Sequence, residues 1–207
     1  MKVFGLTGGI GMGKSTAAGL LRARGYPIVD TDVIARTLVE PGQSALAEIQ
    51  AAFGHEVISA SGELLRERLA ERVFANPDER KKLEAILHPR IRANWLAQLE
   101  SSRAKGWPNA VVVIPLLFET NAAACFDKII CVACSAPTQR ERLRLRGWTD
   151  PQIDQRIAAQ APIEKKMELS DYVVWTEPSL EVHAAQLERI SSDNSFTKLS
   201  RICVKVW

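Results

Sequence analysis

A glycine-rich stretch near the start of the chain limits what it can fold into more than any other feature: Leu6-Thr7-Gly8-Gly9-Ile10-Gly11-Met12-Gly13-Lys14-Ser15-Thr16. Gly8, four residues, then Gly13-Lys14-Ser15 fit the P-loop pattern, in which successive backbone N–H groups wrap a polyphosphate and the lysine reaches its outer phosphates. The flanks fit as well. Residues 2–7 read as a short buried strand, and Ala17, Ala18, Leu20 and Leu21 recur at helical spacing after the lysine. Strand, glycine loop and helix N-terminus therefore come in the required order, and the helix dipole brings its positive end to the anion site. The alternative is a glycine turn carrying a chance Gly-Lys-Ser.

The 207 residues, 46% hydrophobic and 25% charged, suit one α/β domain with an insertion. A net charge of +3, with acids and bases interleaved over most of the chain, marks no nucleic-acid tail and no polybasic membrane patch; small phosphorylated molecules are the expected partners. No apolar run approaches the roughly 18 residues of a membrane span, and the N-terminus enters a strand without a signal-peptide layout. A cytoplasmic location is the expectation. Of the four cysteines, Cys131 and Cys134 lie in the strand-like run 128–134, where residues three apart point to opposite faces. They cannot share a metal there without a bulge, so Cys125, Cys131, Cys134 and Cys203 read as buried thiols.

After the first helix, residues 26–30 read as a second strand that delivers Asp30-Thr31-Asp32 to its carboxyl end, where open α/β sheets bind ligands. One carboxylate can cap the following helix. The other can accept a proton from an incoming hydroxyl or hold the water shell of Mg2+. Residues 41–106 change character: helical spacing recurs in 44–53, 64–74, 78–87 and 91–99, punctuated by Gly54, Gly62, Asn76-Pro77 and His88-Pro89. This predicts a helical insertion between two strands, a place for an acceptor substrate. His88, preceding Pro89, is placed at a bend, as a structural hydrogen-bonding group or a functional one.

Residues 109–114 form the strongest strand signal, a β-branched run typical of a strand covered on both faces, and lead into Pro115-Leu116-Leu117-Phe118-Glu119. The leucines and Phe118 are either a partly apolar ligand lining or plain core. Residues 127–133 and 171–175 read as the fourth and fifth strands, and 180–190 as a closing helix. Between them Pro137 opens a helix on which Gln139, Arg142 and Arg146 share one face while Arg140 and Arg144 point elsewhere. Gly147-Trp148-Thr149-Asp150 breaks it, as the tip of a lid would; the alternative is a solvated basic face. Helices resume at 151–161 and 163–169. The tail from 191 begins polar, suggesting disorder, and ends apolar, which suits an added edge strand or packing on another chain.

Five strands alternating with helices, a P-loop after the first and an Asp after the second give an α/β class with a five-stranded parallel sheet of P-loop, nucleoside-monophosphate-kinase-like topology. The chain resembles the dephospho-CoA kinase family. The resemblance rests on residues 6–16, Asp30-Thr31-Asp32-Val33-Ile34-Ala35-Arg36, Val39-Glu40-Pro41-Gly42, Phe53-Gly54, Gly62-Glu63-Leu64-Leu65-Arg66, Leu87-His88-Pro89, Pro115-Leu116-Leu117-Phe118-Glu119, and Gln139 with Arg142 and Arg146. It covers about residues 2–190, and implies a core of about 1–40 and 107–191, an acceptor-binding insertion of about 41–106, a lid of about 139–165 and a tail of 192–207.

What the resemblance implies is transfer of the ATP γ-phosphoryl to the ribose 3'-hydroxyl of dephospho-CoA, the last step of coenzyme A biosynthesis. Gly9, Gly11, Met12, Gly13 and Lys14 would hold the phosphates, Ser15 would bind Mg2+ and Thr16 would support the α phosphate. Asp32 would be the base, and Arg142 and Arg146 would close over ATP. Arg66, His88, Leu116, Leu117 and Glu119 would face the acceptor. Three positions depart from the family pattern: Met12 for a small serine, Gly147 for an Asp, and Trp175-Thr176-Glu177 where an Asn near the adenine is usual. Shikimate kinase is a rival of the same class, and a P-loop switch protein one of another class, although neither an Asn-Lys-X-Asp nor an Asp-X-X-Gly motif is present.

Overall fold

An unbroken β-branched run cannot alternate between core and water, so it must be covered on both sides. In the computed structural model, which describes residues 1–177 and 179–192, that run is β3 (Asn109–Val113), with Ala110, Val111 and Val112 completely buried. The other strands are β1 (Lys2–Gly8), β2 (Ile28–Asp30), β4 (Lys128–Ala133) and β5 (Tyr172–Trp175), in the parallel order β2-β3-β1-β4-β5. Leu6 lies in register with Val113 on one side and Ile130 on the other, and Val132 with Val174. Period-two alternation thus lines these residues along one face. Ala17, Ala18 and Leu21 of α1 (Lys14–Ala23) and Leu187 of α9 (Leu180–Ser192) cover it. Because β1 is central, its carboxyl end opens at the middle of the sheet, where a parallel α/β layer binds ligands.

The chain forms two compact units: Met1–Val29 with the described chain from Ser102 onward, and Asp30–Ser101. The second has its own core of Val39, Leu46, Ile49, Phe53, Val57, Leu69 and Val73, contributed chiefly by α3 (Ser44–Phe53) and α4 (Arg66–Ala75). It also contains α2 (Thr31–Thr37) and most of α5 (Pro77–Ala104). Arg72 ties it together: its guanidinium lies over the Phe53 ring and bonds to the Phe53 carbonyl, Glu56 and Glu79.

Two expectations need correction. Residues 78–87 and 91–99 are not separate helices with His88 at a bend between them; α5 runs through Pro89. Pro89 deprives only the Ala85 carbonyl of its helical donor, and the turn is reinforced by Arg90, whose guanidinium donates to the Ile86 carbonyl at 2.7 Å and to Glu48 at 2.5 Å. The basic helix, α6 (Ala136–Arg144), stops before Arg146. Gly147, at φ +85°, takes the left-handed geometry that ends helices, its N–H donating to the Arg144 carbonyl at 2.8 Å. Arg146 therefore sits exposed in the terminating turn and does not extend the face of Gln139 and Arg142.

After that turn come α7 (Asp150–Ala158) and α8 (Ile163–Leu169). Arg140 and Arg144 of α6 pair with Asp150 and Asp154 of α7, so part of the basic run is a helix–helix clasp. Cys131 and Cys134 are buried and Cys125 half-buried; burial pushes the Cys131 thiol up to about 12. Among the described residues no helix is long and apolar enough to cross a membrane. The tail beyond 192, and Cys203 with it, lies outside the described residues.

Candidate active site

The loop after β1 is shaped by what lies behind it. Gly11 has φ +75°, and a Cβ built there would come within 2.9 Å of Leu143 on α6, so both conformation and space call for glycine. Met12 is 2% exposed and packs with Ala133, Cys134, Ile163, Met167, Val173 and Trp175. Its departure from a small residue is absorbed by an apolar pocket beneath the loop. Lys14 Nζ donates to the carbonyls of Gly8 and Gly9, both at 2.9 Å, and so arches back over the loop. Gly13, the N-cap of α1, has no side chain to accept from the first-turn N–H groups, which leaves them to an anion. Ser15 and Thr16 are exposed in that turn. The cradle fits a polyphosphate, and the Ser15 hydroxyl is the hard oxygen donor that Mg2+ prefers.

Two glutamines hold the loop at Ile10. Gln139, 6% exposed, donates to the Ile10 carbonyl at 2.7 Å, and the Ile10 N–H donates to Gln160 Oε1 at 3.0 Å. A third tie comes from the end of β5, where the Thr176 hydroxyl donates to the Met12 carbonyl at 3.1 Å and accepts from Arg142 Nη1 at 2.9 Å. Arg142 Nη2 reaches the Thr176 carbonyl at 2.7 Å. Arg142 is therefore a half-buried, anchored guanidinium rather than a free lid side chain. The neighbouring Glu177 accepts from Ser135, Thr138 and Trp175, and these hydrogen bonds, Ser135 first, hold its carboxyl below the usual range.

The Pro115-Leu116-Leu117-Phe118-Glu119 segment follows β3. Leu117 is completely buried, its Cδ1 occupying the space that a side chain at Gly5 would need; Leu116 is half-buried. Glu119 pairs with Lys166 of α8 at 2.8 Å, and its Oε1 also accepts from the Ala161 N–H at 2.9 Å. The Lys166 side chain is 0% exposed and donates to the Pro115 carbonyl at 2.7 Å, which also accepts from Thr7 Oγ1 at 3.3 Å. A buried ammonium needs this full set of partners.

The remaining candidates belong to the second unit. Asp30 is the N-cap of α2, its Oδ1 accepting from the Asp32 N–H at 2.9 Å and the Val33 N–H at 3.4 Å. Asp32 lies exposed in the first turn, so the capping task falls to its neighbour. Arg66 opens α4, exposed, with Nη2 donating to the Arg36 carbonyl at 3.3 Å. His88 is half-buried in mid-helix.

Lys166 and Gln160, which tie the Pro115–Glu119 segment and the loop, and the buried His183 are not among the candidates read from the sequence, where Thr176 and Glu177 stand only as a departure from the family pattern. Lys166 had a signal: it shares a helical face with Ile163 and Met167, so a lysine stands on an apolar stripe. Thr176 follows a strand at the ligand-binding edge of the sheet. Gln160 carried no such mark. His183 is 3% exposed, its Nε2 without a hydrogen-bond partner among the described residues. Burial first, then the nearby Arg142 charge, pushes its pKa down.

A parallel sheet of this order with a phosphate loop after its central strand, an anchored guanidinium beside that loop and a helical second unit defines a P-loop kinase. Comparison with known proteins agrees. The sequence matches the dephospho-CoA kinase family over residues 2–181, and the chain belongs to that family. It is 45% identical over 194 residues to the dephospho-CoA kinase of Anaeromyxobacter dehalogenans, covering 93% of this chain and 92% of the other. Among solved structures it is similar to TT1252 from Thermus thermophilus, with a TM-score of 0.81, 32% identity and coverage of 94% and 98% of the two chains. It is also similar to dephospho-CoA kinase from Campylobacter jejuni, with a TM-score of 0.67, 25% identity and coverage of 92% and 96%. Family membership leaves both the shikimate kinase and the switch-protein alternatives unfavoured.

Proposed function

We propose that this kinase transfers the γ-phosphoryl group of ATP to the ribose 3'-hydroxyl of dephospho-CoA, in the cytoplasm. The observation that carries the donor half is the loop itself: an uncapped helix start, Lys14 arched over Gly8 and Gly9, and a backbone held from behind at Ile10 and Met12. In this reading Gly9, Gly11, Met12, Gly13 and Lys14 bind the β and γ phosphates through backbone N–H groups and the ammonium, and Thr16 supports the α phosphate. Ser15 holds Mg2+, which when bound neutralises charge across the phosphates.

Asp32 orients the acceptor hydroxyl and takes its proton as the oxygen attacks the γ phosphorus and the bond to the leaving ADP oxygen breaks. The division of labour with Asp30 supports this role, because the cap is already made. Arg142 uses two of its five N–H donors on Thr176 and has three left for phosphate oxygens; Arg146, exposed in the adjoining turn, adds a second charge. Arg66 and His88 bind the acceptor. On the Pro115–Glu119 side Leu116 offers apolar surface to the pantetheine arm and the exposed Glu119 faces the acceptor while bracing Lys166; Leu117, expected to face the acceptor as well, is completely buried and supports the segment from within.

Coupled ATP turnover with dephospho-CoA, AMP, adenosine and shikimate offered side by side tests the assignment. Stimulation by dephospho-CoA alone is the expected result; equal stimulation by shikimate or AMP would overturn the acceptor assignment.

A further inference from the structure

Gln160 and Ala161 are adjacent residues in the short link between α7 and α8, and their polar groups go to two different functional segments. Gln160 Oε1 accepts from the Ile10 N–H of the phosphate loop at 3.0 Å. The next residue's N–H donates to Glu119 at 2.9 Å. Glu119 continues to Lys166 at 2.8 Å, and Lys166 to the Pro115 carbonyl at 2.7 Å. That carbonyl accepts from Thr7, whose backbone runs into Gly8 and back to Ile10. The interactions close a ring through the loop, the link and the Pro115–Glu119 segment. The link has little freedom of its own: the Gln160 N–H is bonded to the Ile157 carbonyl, and Pro162 begins α8 with its carbonyl taken by the Lys166 N–H.

The chemistry of the two glutamines that meet at Ile10 is also informative. An amide satisfies a backbone N–H or C=O without bringing net charge, whereas a carboxylate in the same place would add a negative charge beside a polyphosphate. Gln139 takes the Ile10 carbonyl and Gln160 its N–H, so both polar groups of this loop residue are held by neutral side chains.

We infer that Gln160 is a positioning residue for phosphoryl transfer, and that the Gln160-Ala161 link sets the phosphate loop and the Pro115–Glu119 segment in register with each other. The kinetic consequence rests on the function proposed above; the structural one does not. Gln160→Met keeps the size and removes the acceptor oxygen. It should speed hydrogen exchange of the Ile10 amide about tenfold by releasing its partner. It should lower kcat with dephospho-CoA about tenfold, as a small misplacement of reacting groups does, while Tm stays within about 3 °C. Gln160→Glu keeps an acceptor for Ile10 and adds charge, so it should leave Ile10 protected and instead raise the KM for ATP. Glu119→Leu should lower kcat more than Glu119→Gln, which retains an amide oxygen for Ala161 and Lys166. The double variant Gln160→Met with Glu119→Leu should be no slower than the slower single variant, because both cut one ring.

Unchanged Ile10 exchange together with kcat within twofold in Gln160→Met would overturn the inference. So would losses that multiply in the double variant, or rate losses that merely follow Tm. If the wild-type protein does not phosphorylate dephospho-CoA, the functional assignment fails and the exchange measurement still decides the role of Gln160.

Discussion

Asp30 and Asp32 are two carboxylates two residues apart that the backbone sends to different tasks. Asp30 closes the start of α2, a contribution typically worth about 1 kcal/mol, whereas Asp32 stands exposed in its first turn. Asp32→Asn should therefore leave Tm and ATP affinity nearly as they are while turnover falls about 10²- to 10⁴-fold, the usual range for a general base. Nucleotide titration beside steady-state rates checks this, and a near-normal turnover would remove Asp32 from its role. Thr176 carries the opposite mixture. Its hydroxyl joins the Met12 carbonyl to Arg142, so Thr176→Val should cost about 1–2 kcal/mol, or roughly 2–8 °C in Tm, and raise the KM for ATP as well. Calorimetry with initial-rate kinetics separates the two effects; a fall in Tm without a change in KM would make Thr176 purely structural.

At the scale of elements, one proline accounts for the expected break between residues 78–87 and 91–99. A proline ends helices by local preference, yet α5 passes Pro89 because it removes one donor and Arg90 meets a carbonyl in the same turn. Pro89→Ala should restore the missing bond and raise Tm by several degrees, a part of the roughly 3 kcal/mol that separates the two residues in an exposed helix; thermal denaturation shows whether it does. What was legible in the chain was what local chemistry decides: the buried strand 109–113 from its β-branched run, the loop from its glycines and lysine, and the order of strand and helix from periodicity. Ties across long sequence separations were not legible. Nothing near Gln160 announces that its partner is Ile10, and periodicity separates Arg140 from Arg142 by face without naming the partner of either, Asp154 on α7 for one and Thr176 for the other. Likewise Leu116-Leu117 could be read as lining or core, and only packing distinguishes the half-buried Leu116 from the fully buried Leu117.

Over the whole molecule, titration should show in stability as two successive losses on acidification. His183 is buried and favours its neutral form, so its contribution is complete above the unfolded value of about 6.5 and is lost as pH falls toward its lower folded value. Glu177, held low by Ser135, Thr138 and Trp175, and Glu79, held low by Arg72, contribute above the unfolded value of about 4.3 and lose that contribution as pH falls further. Tm measured from pH 7 to 3 should thus decline in two stages; His183→Leu should flatten the upper one and Glu177→Gln the lower. A profile unaltered by either change would contradict the assignment. The loop at Ile10 and Met12, held by Gln139 from α6, Gln160 after α7 and Thr176 after β5, also bears on protein engineering. Its eight-residue signature is no portable cassette: grafted onto another strand and helix without those three distant contacts, it would carry the right letters and lack the frame that gives them their shape.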